Sequence, residues 1–404
     1  MGKMGIGIMA IVGILLFAIV LPLNVSASGE KEVHTAHSHM KKQISLKPID
    51  VSKQMQRFTY DSGLDFEYPD AVRGIYVTGP SAGGKRFETL LNLVDSTELN
   101  AMVIDIKEDH GNLTFKPKEG SPYEDIAKNF INEPRKMLEV LEKKGIYPIA
   151  RIVVFKDTVL AEKHPEWSFK QNGEVWTNGN GEAFVNPFQK EVWEYNVEIA
   201  KMAAELGFQE IQFDYVRFPE GFEDYDEVLD YDLGDYTDSE GNVERRVNAV
   251  TDFVSYANDE LDYYGVDVAV DIFGYAATIP AAPGIGQNFT KISKNVDVIS
   301  SMIYPSHWTS YFGIEKPDTE PYKLVSKYAK VENEVLGKLE DPPTSRPWIQ
   351  DFEAPWLYSG PTKQYGKAEV EAQIKALNEQ GINEFLLWNA GNDYTDNVDY
   401  TPLN

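Results

Sequence analysis

Asp105, Asp214 and Asp271 share a setting: each lies at or near the end of a short apolar run rich in β-branched residues. Two more runs are followed closely by polar or aromatic groups. Met302 and Ile303 precede Tyr304, His307 and Trp308, and Trp348 to Gln350 precede Asp351 and Glu353; Trp388 closes a last run. Carboxyl groups crowded at one semi-enclosed mouth acquire unequal pKa values without any cofactor. Hydrolysis of a glycosidic bond needs two such groups in different protonation states. One stabilises an oxocarbenium-like centre and the other protonates the leaving oxygen. Asp214, Asp271, Glu353 and Asp105 are the candidate carboxylates. Lys107, Tyr215, Arg217, Tyr304, His307, Trp308 and Trp388 are candidates for holding hydroxyls or stacking against sugar rings. Any one acid has a structural alternative, Asp105 pairing Lys107 or Asp214 pairing Arg217. The convergence of several is what favours chemistry.

Convergence requires a scaffold. Strand-like runs recur at residues 74–78, 101–106, 147–155, 209–214, 266–272, 296–303, 347–350 and 382–388. Several are apolar at consecutive positions, as parallel strands covered on both faces must be. Helical stripes lie between them. Tyr195, Ile199, Met202 and Leu206 share one face after the Asn186-Pro187 start signal, and Gly207 ends that run. Lys136–Lys144 and the stripe of Val370, Ile374 and Leu377 end in the same way at Gly145 and Gly381. Eight strands alternating with helices predict a (β/α)8 TIM barrel, whose active site lies at the C-terminal ends of its strands. Little chain remains after the eighth strand, so the last helix is expected to be missing or replaced. Part of residues 44–70 is expected to cover the gap between strands eight and one.

The string Phe213-Asp214-Tyr215-Val216-Arg217-Phe218-Pro219, with Arg73-Gly74-Ile75-Tyr76 and Ile104-Asp105-Ile106-Lys107, resembles the bacterial putative glycosyl hydrolase domain family. The likeness runs from about Arg73 to the C-terminus. That family consists of barrels distantly similar to the α-amylase and α-galactosidase groups, and it has no settled substrate. The resemblance implies that Asp214, on the fourth strand, is the nucleophile of a retaining mechanism. It implies a general acid on the fifth strand, usually Glu, where this chain has Asp271. Glu353 is the alternative acid and Asp105 the third choice.

Composition narrows the setting. With no Cys, the chain has no disulfides, thiolate metal sites or Cys nucleophile. A formal net charge of -26 repels nucleic acid and anionic membrane surfaces. Residues 1–27 read as a secretory signal, with one early Lys, an apolar stretch over residues 5–23 and small residues before a cleavage point after Ala27. An uncleaved membrane anchor is the rival reading, and the only route to a membrane. Residues 28–70 read as linker and pre-barrel segment, with His34, His37 and His39 among them, and residues 71–404 as one catalytic domain. The protein is thus expected outside the cytoplasm, acting on carbohydrate. A non-catalytic barrel that binds cell-wall glycan is the alternative.

No cofactor or metal is expected. Gly79 to Lys85 has phosphate-loop spacing, but Arg86 replaces the hydroxyl that should hold Mg²⁺, so a tight turn is expected and no nucleotide. The acidic stretch 223–244 lacks the order of Ca²⁺ ligands found in an EF-hand and reads as a solvated loop.

Overall fold

The computed structural model describes residues 59–236, 241–357 and 362–403. The signal or anchor, the three clustered histidines, residues 44–58 and Asp238 of the acidic stretch lie outside the described residues.

Eight strands form the barrel: β1 (Arg73–Val77), β2 (Ala101–Lys107), β3 (Tyr147–Val153), β4 (Glu210–Asp214), β5 (Asp267–Phe273), β6 (Val298–Met302), β7 (Trp348–Gln350) and β8 (Phe385–Trp388). Each pairs in parallel with the next, and β8 returns to β1, so the ring closes. The helices between them are α1 (Arg86–Asp95), α2 (Pro134–Lys144), α3 (Lys190–Leu206), α4 (Asn242–Leu261), the short α5 (Phe289–Ser293), α6 (Pro321–Leu336) and α7 (Lys367–Asn378). Helix α3 starts three residues later than the Asn-Pro signal suggests. Asn186 instead forms a turn, accepting from the Phe188 N–H, while the Trp193 indole donates to the Pro187 carbonyl.

Strand alternation sorts the side chains. On β4 and β5, Ile211, Phe213, Val268, Val270 and Ile272 face the helices and join the large outer core. Glu210, Gln212 and Asp214, with Asp267, Ala269 and Asp271, face the barrel axis. The smaller inner core is Val72, Tyr76, Ala101, Val103, Tyr147, Ile149, Tyr304, Trp348 and Leu386. This interior is apolar on one side and polar on the other.

Residues 59–70 do not bridge strands eight and one. They cross the N-terminal end of the barrel: the Tyr60 N–H donates to the Tyr263 carbonyl, Asp65 N–H to Glu142, and the Tyr68 hydroxyl to Glu384 at 2.8 Å. There Arg346, fully buried, donates two bonds to Glu210 at 2.6 and 2.7 Å, one to Glu384 at 2.8 Å and one to Tyr68 at 2.9 Å. Among the described residues no helix follows β8, and the segment 389–403 packs there instead. Arg86 of α1 donates to the Asn392 carbonyl, Tyr394 to the Tyr76 carbonyl, and the Asp399 N–H to Glu371 of α7. Val398 and Tyr400 bury themselves in the outer core. That segment packs without helical structure because side chains and strand ends satisfy its backbone.

The glycine-rich stretch after β1 is a helical turn, Gly79–Ala82. A Cβ on Gly83 would lie 1.8 Å from the Phe130 carbonyl oxygen, so close packing accounts for that glycine.

Burial drives the Glu210 carboxyl up, and Arg346 pulls it back only to about 7. The folded chain therefore keeps a proton there that the unfolded chain releases near pH ~4.3, and stability falls as pH rises through that window. Glu210→Gln is expected to flatten this part of the slope, read from urea midpoints at pH 5 and 7.5. Equal slopes in the two proteins would show that Glu210 is ionised throughout.

Candidate active site

The C-terminal mouth holds a cavity of about 680 Å³. Of the sequence-predicted residues, Asp214, Asp271, Tyr215, Arg217, Tyr304, His307, Trp308 and Trp388 line it, together with Asp109, Arg151 and Glu220.

Arg151 organises the floor. It is 1% exposed and makes four bonds. Nε and Nη2 donate to Asp214 Oδ2 at 2.9 and 2.6 Å, Nη1 to Asp105 at 2.7 Å, and Nη2 also to Asp109 at 2.7 Å. Its guanidinium lies 5.4 Å from the ring centres of both Tyr76 and Trp388, which stack on each other at 4.1 Å. A planar fork suits this, because it reaches several carboxylates in fixed directions. Sequence reading missed Arg151. It sits in Tyr147-Pro148-Ile149-Ala150-Arg151-Ile152-Val153, and a lone charge on the inward parity of an apolar strand was the available signal.

The other Asp214 oxygen accepts from the Tyr215 N–H at 2.6 Å. Tyr215 has φ +52°, a strained value for a bulky residue, of a kind that clusters at functional sites. Lys156 lies 4.0 Å from the centre of its ring. Arg217 does not pair Asp214, as one reading of the sequence had it. Its guanidinium lies 4.8 Å from the ring of Tyr215 and 4.7 Å from that of Phe273, and it bonds Glu220 at 3.1 Å.

Asp271 stands next to Asp214. Phe213 pairs with Val270 in register, so one step on sets the two aspartates side by side on neighbouring strands. Asp271 is buried, and the Trp348 indole donates to it at 2.7 Å. Burial first, and then the charge of Asp214, push its carboxyl far above the usual aspartate range; the indole and Arg151 oppose this only in part. After β5, Gly274 permits close approach. A Cβ there would lie 2.9 Å from the Met302 carbonyl and 3.0 Å from Trp308.

Three predicted residues lie elsewhere. Lys107 is fully buried on the outer side of β2, paired with Asp157 at 2.5 Å and bonded to Asn196 of α3 at 3.0 Å. The register explains this. Asp105 pairs with Arg151 but Lys107 with Ile152, so one extra residue turns Lys107 to the face that Ile152 occupies. Glu353 is exposed and does not line the cavity, because the chain leaves the rim after Asp351, which is tied to Thr395. Asp105 lies behind Arg151, with the Tyr76 hydroxyl at 2.6 Å; burial outweighs Arg151 and lifts it to about 6. That contact makes it a positioning group for Arg151. For Asp109, the surrounding protein disfavours the charge, but Arg151 and Lys156 prevail and hold it at about 2. His307 is exposed at the rim, with Nδ1 3.0 Å from the Ser306 hydroxyl.

Likeness to known proteins bears on the fold and the family. The Bordetella bronchiseptica PgaB (BpsB) glycoside hydrolase domain superposes with a TM-score of 0.54 at 15% identity, over 80% of this chain and 94% of that one. The β-galactosidase of the psychrophilic Marinomonas ef1 gives 0.52 at 15% identity, over 78% of this chain and 54% of that one. A hypothetical protein from Ruminiclostridium thermocellum is 33% identical over 49% of this chain and 96% of its own, with a TM-score of 0.42. The search of curated proteins found no match. At 15% identity the first two likenesses show the barrel fold alone. The profile described as "Putative glycosyl hydrolase domain" matches residues 74–394, and the chain belongs to that family.

Proposed function

We propose that this protein is an extracytoplasmic hydrolase of O-glycosidic bonds in an oligo- or polysaccharide. In this reading it works by a retaining mechanism, with Asp214 as nucleophile and Asp271 as general acid and base. The carrying observation is the unequal pair: Asp214 is bonded twice by a buried guanidinium, while its neighbour Asp271 is pushed toward the neutral acid. A pair whose environments drive the two groups apart is how acid and nucleophile roles divide. Adjacent strands lie about 4.8 Å apart. Retaining pairs are separated by about 5–5.5 Å and inverting pairs by about 6.5–9.5 Å; retention is inferred here from the resemblance to the α-amylase and α-galactosidase groups, with the short strand spacing in keeping. Export is inferred from the charge, apolar stretch and small residues over positions 1–27.

The steps follow from those roles. Asp214 Oδ attacks the anomeric carbon as the glycosidic C–O bond breaks, and Asp271 gives its proton to the departing oxygen. Asp271, now a carboxylate, takes a proton from water. That water attacks the same carbon, releasing Asp214 and restoring the acid. The rings of Tyr304, Trp308 and Trp388 supply apolar wall, and Arg217 supplies donors for hydroxyls.

Wild type is expected to release reducing ends from at least one member of a panel of soluble α- and β-linked polysaccharides. Asp214→Asn should lower kcat at least about 1,000-fold. Survival of cleavage in that variant contradicts the nucleophile assignment. Glycan binding without cleavage by wild type favours the non-catalytic reading.

Asp271→Asn should lower kcat by about 10²–10⁴-fold. It should do so less on aryl glycosides whose leaving groups need no proton. As an acid, Asp271 works while protonated, so activity falls as pH rises through its elevated pKa. That alkaline limb should vanish in Asp271→Asn; an unchanged limb assigns the acid elsewhere.

A further inference from the structure

The cavity does not end at the two carboxylates. Its wall of Tyr215, Arg217 and Glu220 is shared with a second cavity of about 330 Å³, formed by the segments after β3 and β4. Trp176 and Tyr225 line that second cavity with ring centres 5.1 Å apart, and Tyr225 is 37% exposed. A volume of that order suits one small ligand unit.

In another direction a chain of rings leaves the first cavity. Tyr304 lies 6.1 Å and His307 6.2 Å from Phe352, and Phe352 stacks on Trp356 at 6.3 Å with an interplanar angle of 20°. Trp356 is 65% exposed, the highest among the exposed large hydrophobic side chains of the described residues. An aromatic face this open is costly to hydrate, and contiguous apolar surface beside a binding cleft marks a place where something sits. Strand order fixes the relation of the two extensions. Segments after β3 and β4 carry the second cavity, whereas Phe352 and Trp356 follow β7, and β3 and β7 stand opposite each other in a ring of eight. Asp214 and Asp271, on β4 and β5, lie between.

We infer that the mouth is a groove for a polysaccharide chain, gripped at its outer ends by Tyr225 and Trp356, and that the chain is cut internally. This rests on the carbohydrate-cleaving reading above and deepens it. A site that trims chain ends needs a wall closing one side. Here aromatic rings continue the floor in both directions.

The test is affinity electrophoresis of the Asp214→Asn protein in native gels containing soluble α- and β-glucans, galactan, xylan, glycol chitin or chitosan. At least one polymer should retard it. Adding Trp356→Ala or Tyr225→Ala should weaken that retention about tenfold each, a change of one decade in Kd. Both side chains are exposed, so melting temperatures should stay unchanged and serve as the folding control. No retardation by any polymer, or equal retardation of all three proteins, overturns the inference. Wild-type digestion of the retarding polymer should yield oligosaccharides from the earliest time points, and release of monosaccharide alone also overturns it. If the polymer is gripped through Trp356 and Tyr225 but never cleaved, the groove stands and the hydrolase reading falls. If cleavage proceeds without dependence on either ring, the reverse holds.

Discussion

One guanidinium, that of Arg151, holds the top of this barrel together. Three carboxylates converge on it, Asp105 and Asp214 almost closed to water and Asp109 half-exposed at the cavity. Left without it, the same acids would repel one another and take up protons. With it, Asp109 is held down at about 2, while Asp105, deeper and drier, rises to about 6. The stacked rings of Tyr76 and Trp388 beside Arg151 limit its movement, so the direction in which Asp214 faces the cavity is set by packing as well as charge. Asp271 completes the logic. It has the Trp348 indole but no cation bonded to it, and burial first, then Asp214's charge beside it, push its carboxyl far above the usual aspartate range. Unequal sharing of one cation, added to unequal burial, thus sets neighbouring acids in different electrostatic surroundings.

A second buried arginine does comparable work at the other end. Arg346 gathers Glu210, Glu384 and Tyr68, and so anchors the segment leading into β1. The two clusters sit at opposite ends of the same strands. Those at the C-terminal ends border the cavity and those at the N-terminal ends are sealed, which is the usual division between activity and stability in this fold. Residues from Glu210 to Asp214 serve both, since β4 carries one cluster at each of its ends.

Much of this was legible in the amino-acid sequence, because parallel strands covered on both faces need apolar runs and the site must follow them. Asp214 and Asp271 are readable for that reason, as are Tyr304, Trp308 and Trp388. Lys107 was misplaced by a single extra residue in β2, which period-two counting cannot detect. Glu353 was misplaced because strand β7 ends at Gln350 and its loop turns away at once. Arg151 was overlooked for a different reason: a charge inside an apolar run looks like noise until its inward parity is counted. The segment after β8, which packs there without helical periodicity, leaves no local pattern to read.

The central claim is that burial, together with the charge of Asp214 beside it, holds the Asp271 carboxyl protonated far above the usual aspartate range. Isotope-edited infrared spectroscopy of protein labelled in its aspartate carboxyl carbons measures this directly. At pH 7 the wild-type spectrum should contain a protonated aspartate band that is missing from Asp271→Asn. Its titration midpoint should fall in Asp214→Asn, where the neighbouring charge is gone. Identical protonated bands in wild type and Asp271→Asn, or a midpoint indifferent to Asp214, would contradict the account.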